Sequence, residues 1–220
     1  MSTKEKYLLK VMLFGDMCKS FNIIISYNYL LGVGKTSLLN VYVRKQFLPQ
    51  YLSTIGTDFL TKEVNIEETV IKLQIWDIAG AGAVEDYNSI YRNSECCVLV
   101  FDLTQTKSFE SIESWRNKFL NKLNPEDPET FPFVLLGNKC DKQEERKVEA
   151  EKIKQYCQSK SNMTYFETSA KDNTNVEAAF DEVAKLAFKR FLKEEGEMVC
   201  FNGIKLKATN QQTQPKGWCW

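Results

Sequence analysis

Histidine is absent from all 220 residues, and the seven cysteines are odd in number with no paired C-x-x-C spacing. A zinc site is therefore not expected. Without a disulfide framework, the cysteines fit a reduced, cytosolic compartment. Long apolar runs are missing too. The longest outside the strand-like segments, "NIIISYNYLL" (22–31), falls well short of the about 20 residues that a bilayer span needs. The opening "MSTKEKYLLKVMLFGD" has no long apolar h-region, so a secretory signal is not expected. An excess of either charge is also lacking: Lys+Arg and Asp+Glu both total 29, which favours neither nucleic acid nor a membrane surface as a partner. If the protein meets a membrane, something other than a spanning segment or net charge has to bring it there.

What is present is the composition of a globular domain, 43% hydrophobic and 26% charged, in a chain long enough to bury one good core. "YLLKVMLFG" (7–15) is a short apolar run ending in glycine, as a buried strand would be. "KTSLLNVYVRKQF" has helical spacing, with Leu38, Leu39, Tyr42 and Val43 on one side. "FLTKEVNI" and "VIKLQIWDIAG" read as strands around a polar turn at Glu67, Glu68 and Thr69. "CCVLVFDLT" (96–104) and "FPFVLLGNKCD" (131–141) are continuous apolar runs suited to strands covered on both faces. "SFESIESWRNKFLNKL" (108–123) predicts a helix with Phe109, Ile112, Trp115 and Phe119 in phase. "RKVEAEKIKQYCQSK" and "VEAAFDEVAKLAFKRFLK" predict two more helices, and "TYFETSA" a last short strand. Strands alternating with helices predict an α/β domain with a mainly parallel sheet. The domain is expected over 6–192. From about Lys193 a polar, Gln/Asn-bearing tail (193–220) is expected to be disordered.

In such sheets ligands sit at the carboxyl ends of the strands, and the distinctive motifs fall there. The first is a phosphate-binding loop that has been opened. Gly15 and Asp16 follow the first strand, and Gly32-Val33-Gly34-Lys35-Thr36-Ser37 opens the first helix. A Walker A loop reads G-x-x-x-x-G-K-[ST], with four intervening residues. Here eighteen separate Gly15 from Gly34, and Tyr29 occupies the place of the first Walker glycine. Backbone N–H groups of a Gly-rich turn at a helix start can point at phosphates, and the helix dipole favours an anion. Lys35 would reach the phosphates and the Thr36 hydroxyl would ligate Mg²⁺. Later come "WDIAG", "GNKCD" and "ETSAK", each at the end of a predicted strand.

This ordered set resembles the Ras-superfamily small GTPases. The flanking text, "TSLLNVYVRKQF", "STIGTDFLTKEV", "CCVLVFDLT", "FPFVLLGNKCD" and "YFETSAKDNTNVEAAF", resembles the Rab branch, above all its late-endosomal members. The resemblance covers roughly residues 6–190 apart from the interruption. It implies a P-loop GTPase fold (G domain): a mostly parallel, six-stranded sheet with helices on both faces. The implied cofactors are GTP/GDP and Mg²⁺. Asn138, Lys139 and Asp141 match the guanine motif; a carboxylate there accepts two hydrogen bonds from guanine, a donor pair that adenine lacks. Ser169, Ala170 and Lys171 would complete the base pocket. Phe47 would pack on the guanine face, although a buried aromatic at a helix end is an equally ordinary reading. Tyr51 joins the nucleotide-binding set by the same resemblance. Thr54 matches the switch I threonine that reaches Mg²⁺ with GTP bound. Asp77 would hold the metal through water, and the Gly80 N–H would sense the γ-phosphate. Phe59 and Trp76 match aromatics presented to effectors, with Ile90 in the place of a third aromatic. The implied partners are effectors, an exchange factor and a GAP; the implied location is the cytosolic face of late endosome, lysosome or vacuole membranes.

The sequence departs from that pattern in three places. The family usually reads "DTAGQERF" where this chain reads "DIAGAGAV", one residue shorter before "YRNSECC", so Ala81 stands in place of the glutamine that positions the attacking water. Slow hydrolysis is expected. The chain given closes on "GWCW", with one cysteine, Cys219, where Rab proteins usually carry two prenylated ones. One lipid alone gives only marginal membrane binding. Third, the fourteen residues in excess in the phosphate loop, close to Cys18 through Leu31, read as a retained intron. Codons for Cys18-Lys19-Ser20 can contain the donor GTAAGT, and codons for Leu30-Leu31-Gly32 an acceptor-like TTAG. Splicing between them restores a loop of Walker A length. The alternative origin is a genuine insertion that bulges outward. At the level of function, the alternatives to a GTP switch are a pseudo-GTPase scaffold with impaired nucleotide binding and an ATP-using P-loop enzyme. "NKCD" and "ETSAK" argue against the last.

Overall fold

The apolar runs assemble into one six-stranded sheet in the computed structural model, which describes residues 6–17, 32–49, 54, 56–78 and 88–202. The strands are β1 (Lys6–Phe14), β2 (Thr57–Ile66), β3 (Thr69–Ile78), β4 (Ser94–Asp102), β5 (Phe133–Asn138) and β6 (Thr164–Thr168). Their order across the sheet is β2-β3-β1-β4-β5-β6. β1 pairs in parallel with β3 on one side and β4 on the other, and β5 and β6 continue in parallel. β2 runs antiparallel to β3 through a turn at Glu67 and Glu68. The expected fold class, α/β with a mostly parallel six-stranded sheet, is therefore what forms.

Side-chain alternation along the central strands divides the core in two. Leu9, Val11 and Leu13 of β1 and Cys96, Val98 and Val100 of β4 face α1 (Lys35–Arg44) and α6 (Val176–Asn202). Met12 and Phe14, with Cys97, Leu99 and Phe101, face the other way. There they meet Tyr91 of α2 (Asn88–Tyr91), residues of α4 (Ile112–Leu123) and residues of α5 (Ala150–Ser159). Strands buried on both faces have no polar side to show, and β4 is buried at all nine positions.

Two expectations need correction. The helix predicted over 108–123 is two helices, α3 (Thr106–Glu110) and α4, broken at Ser111. The Ser111 hydroxyl donates to the Lys107 carbonyl at 3.0 Å, a back-bond that competes with the regular ladder. The in-phase positions Ile112, Trp115 and Phe119 are nevertheless buried as expected. The polar tail is expected from Lys193, but α6 runs on to Asn202. "KEEGEM" loses the apolar periodicity yet keeps strong helix formers, so propensity carries the helix past the end of its packed face. Among the described residues, no helix is long and apolar enough to cross a membrane.

Candidate functional site

The sheet order reverses beside β1: the chain's next strands go to its β3 side, and β4 lies on the other. In open α/β sheets the crevice outside such a switch point is where ligands bind. A cavity of about 410 Å³ opens there.

Its phosphate-loop wall comes from both sides of the interruption. Asp16, Met17, Gly32, Val33, Gly34, Lys35, Thr36 and Ser37 all line it. The two halves meet: Val33 N–H donates to the Asp16 carbonyl at 3.3 Å, and the Lys35 ammonium donates to the carbonyls of Gly15 at 2.7 Å and Asp16 at 3.4 Å. Gly15 does not line the cavity; it sits under the loop, where a Cβ would fall 2.1 Å from the Val100 carbonyl oxygen. Gly34 has φ 93°, and a Cβ there would meet the Asn138 amide nitrogen at 2.3 Å, so only glycine fits. Burial lowers the pKa of Lys35, while the Asp77 and Asp16 carboxylates pull it back up.

Three oxygen-bearing side chains converge beside Lys35. The Thr36 and Thr54 hydroxyls lie 2.7 Å apart, and both donate to Asp77 Oδ2, Thr54 at 3.3 Å. Asp77 is 2% exposed at the end of β3, and its Oδ1 has no hydrogen-bond partner. Burial raises the pKa of this carboxylate, with the Thr36 bond and Lys35 opposing. An unpaired buried carboxylate oxygen is costly, and a hard cation would relieve it. One carboxylate and two hydroxyls are too few for an all-protein cage. They suit Mg²⁺, which keeps waters and takes further oxygens from phosphates. Among the described residues no group of three or more His, Cys, Asp or Glu could hold a metal.

The far end of the cavity is built by β5, β6 and the loops after them. Asn138, Lys139, Asp141, Ala170 and Lys171 line it. Ser169 is fully buried behind them and donates its hydroxyl to Asp141 Oδ1 at 2.7 Å, leaving the other carboxylate oxygen free of that bond. Asn138 is a brace: its amide donates to the Val33 carbonyl at 2.8 Å, and its Oδ1 accepts from Ala170 N–H at 3.2 Å. Lys139, at φ 69°, pairs with Asp102 Oδ2 at 2.7 Å. Phe47, 38% exposed, lines the cavity beside Leu48 and Pro49.

Of the residues expected in the site, Tyr51, Gly80, Ala81 and Cys219 lie outside the described residues, as do positions 18–31. Three supporting residues carry no expectation of a role at the site from the sequence. Asp102 is completely buried and accepts from Thr104 N–H at 2.8 Å and Gln105 at 3.0 Å while it holds Lys139. A lone acid closing an apolar strand is its only sequence signal. Trp115 of α4 reaches Asp16, and Asp58 of β2 lines the cavity; no motif marks either. On the outer face, Phe59 is 42% exposed and its ring centroid lies 4.9 Å from that of Trp76. Ile90 packs against the same core cluster as Trp76.

The sequence model of the Ras family matches residues 30–189, so the match begins where the second half of the phosphate loop begins. The chain is similar to "Ras-related protein Rab-7a" of Paramecium octaurelia, 44% identical over 222 residues and 100% of both chains. It is 47% identical over 190 residues to "Ras-related protein Rab-7a" of Dictyostelium discoideum, covering 86% of this chain and 87% of that one. "GTP-binding protein YPTC5" of Chlamydomonas reinhardtii is 41% identical over 222 residues and 100% of both chains.

Proposed function

Since the chain belongs to the Ras family, in the Rab7 branch of the Rab GTPases that regulate membrane traffic, we propose that its cavity binds GTP and GDP with Mg²⁺ and works as the switch itself. One observation carries this. A single cavity joins Lys35, Thr36, Thr54 and Asp77 at one end to Asp141, Ala170 and Lys171 at the other. The first group suits phosphates and a hard cation, the second a guanine base.

Gly32 through Thr36 would offer N–H groups to the phosphates at the start of α1. Lys35 would balance the β- and γ-phosphate charge, with Ser37 beside it. Thr36 and Thr54 would ligate Mg²⁺ and Asp77 would hold it through water; the ion supplies charge neutralisation for phosphoryl transfer. Asp141 would take the guanine donors, steadied by Ser169, with Lys139, Ala170, Lys171 and Phe47 around the base. Gly80 and Tyr51 complete the set by resemblance. Hydrolysis is slow, because Ala81 has no group with which to orient a water.

Effectors, an exchange factor and a GAP would read the switch through Phe59 and Trp76; the exposed Phe59 ring against the half-buried Trp76 supports a docking role. The site of action is the cytosolic face of late endosome or vacuole membranes, in keeping with the Rab-7 relatives. Cys219 is the candidate lipid site. Titration with a fluorescent guanine nucleotide tests the reading. Tight binding that requires Mg²⁺ and resists ATP is expected; no binding, or displacement by ATP, would refute it.

A further inference from the structure

Trp115 lies on α4 outside every motif, yet its indole N–H donates to the Asp16 carboxylate across 2.8 Å, between residues 99 positions apart. The side chain is 9% exposed and packs on Phe14, ring centroids 5.8 Å apart. Phe14 in turn packs on Phe119 at 5.7 Å and Tyr91 at 6.0 Å. The donor is thus fixed by an aromatic cluster between sheet and helix, not by the loop that it reaches. A buried indole N–H needs an acceptor, and a carboxylate makes the stronger kind of bond.

Asp16 is the residue through which the loop is tied. Its carbonyl accepts from Val33 N–H and from Lys35, and its charge helps keep Lys35 protonated against burial. In an unbroken loop, the short spacing to the glycine turn fixes where this residue stands. Here sixteen residues lie between Asp16 and Val33, so that short link is absent. The bond from α4 ties Asp16 without depending on that link.

The geometry points to Trp115 as a positioning residue for the phosphate loop: through Asp16 it sets the carbonyls that orient Lys35 and the amide of Val33. For nucleotide binding the inference rests on the reading proposed above; for the order of the loop it rests on the contacts alone.

Two variants break the bond from opposite ends. Trp115→Phe keeps a ring against Phe14 and loses the N–H, while Asp16→Ala leaves the indole packing intact. Each is read by release of a fluorescent GDP analogue, and by NMR amide exchange at Val33 in nucleotide-free protein, with Leu13 of β1 as the control for global loosening. Each variant is expected to speed GDP release about tenfold, the loss of one hydrogen bond to a charged group. Val33 exchange should quicken while Leu13 exchange does not. In the Asp16→Ala background, Trp115→Phe should have no further effect, because the two share one interaction. Additive effects, or Val33 exchange unchanged in both variants, would overturn the positioning role. If the unaltered chain fails to bind GDP, the nucleotide reading falls instead, and Val33 exchange alone decides whether Trp115 orders the loop.

Discussion

Asn138 donates its side-chain amide to the Val33 carbonyl across 2.8 Å, binding the end of β5 to the loop after β1. The same side chain accepts from Ala170 N–H. Asn138→Ala strips partners from two nearly buried backbone groups at once, and each such group costs about 1–3 kcal/mol when left unpaired. A stability loss of about 2–6 kcal/mol is expected from the shift in denaturation midpoint. Nucleotide release should quicken in parallel, since both ends of the cavity lose their brace. A midpoint within experimental error of the unaltered protein would contradict this.

Base choice should reside in Asp141. Asp141→Asn replaces a carboxylate oxygen with a donor that opposes the guanine donors and suits xanthine. GTP affinity is expected to fall by about a hundredfold or more, with a gain for xanthosine triphosphate. Competition binding with the two nucleotides measures it, and undiminished GTP binding would remove the case for a guanine pocket.

Turnover should be slow even with nucleotide bound. A single-turnover rate matching GAP-stimulated relatives, without a GAP, would refute the reading of Ala81. Ala81→Gln should accelerate the reaction provided that the one-residue-shorter segment still delivers the side chain to the water.

Removing residues 18–31 should tighten nucleotide binding. Asp16 and Val33 already meet, and the deletion would leave two residues between them where sixteen now stand. That is three doublings of loop length, at about 0.6 kcal/mol each, which bounds the chain-entropy gain near tenfold to twentyfold in affinity. Sequencing the transcript separately tests whether the segment is a retained intron. Equal affinity with and without it would mean that the interruption costs the loop nothing.

Stability should depend on pH through Glu95. Burial, and then the nearby Glu194, push its carboxyl from the ordinary 4.5 to about 7, against the pull of Arg190, whose Nε lies 3.6 Å away. The folded state thus holds this proton where the unfolded chain has released it. Stability contributed by the group is greatest below 4.5 and falls as the pH rises to about 7. Glu95→Gln should flatten that slope and leave the protein more stable at pH 8, in thermal melts across the range. An unchanged slope would show that Glu95 ionises normally.

Much of this architecture is legible in the sequence because its signals are local. Apolar runs such as 96–104 announce strands covered on both sides, and motif residues such as Lys35 and Asp141 sit where strands end. What escapes is whatever depends on partners far along the chain. The antiparallel course of β2 follows from a tight turn to β3, but its place at the sheet edge is a matter of topology. Ser111 breaks a helix through a hydroxyl that periodicity cannot weigh. Asp102 and Trp115 support the site through residues 37 and 99 positions away, Lys139 and Asp16. Only the folded chain brings those together. The end of α6 escapes for the opposite reason: a fading apolar pattern marks the end of packing, not of helix.

The pairing of Arg190 with Glu95 also gives the molecule a polarity. Glu95 lies at the start of β4, next to its opening Ser94, and Asp102, by the cavity, closes the strand, so α6 travels back along the sheet away from the cavity. It then overshoots: 27 residues at about 1.5 Å each reach about 40 Å, against about 30 Å for the nine residues of β4. The chain thus leaves the domain at the pole opposite the cavity. A molecule tethered through the residues after Asn202 would stand off the surface on a helical stalk, with its switch facing the solvent and open to whatever comes to read it.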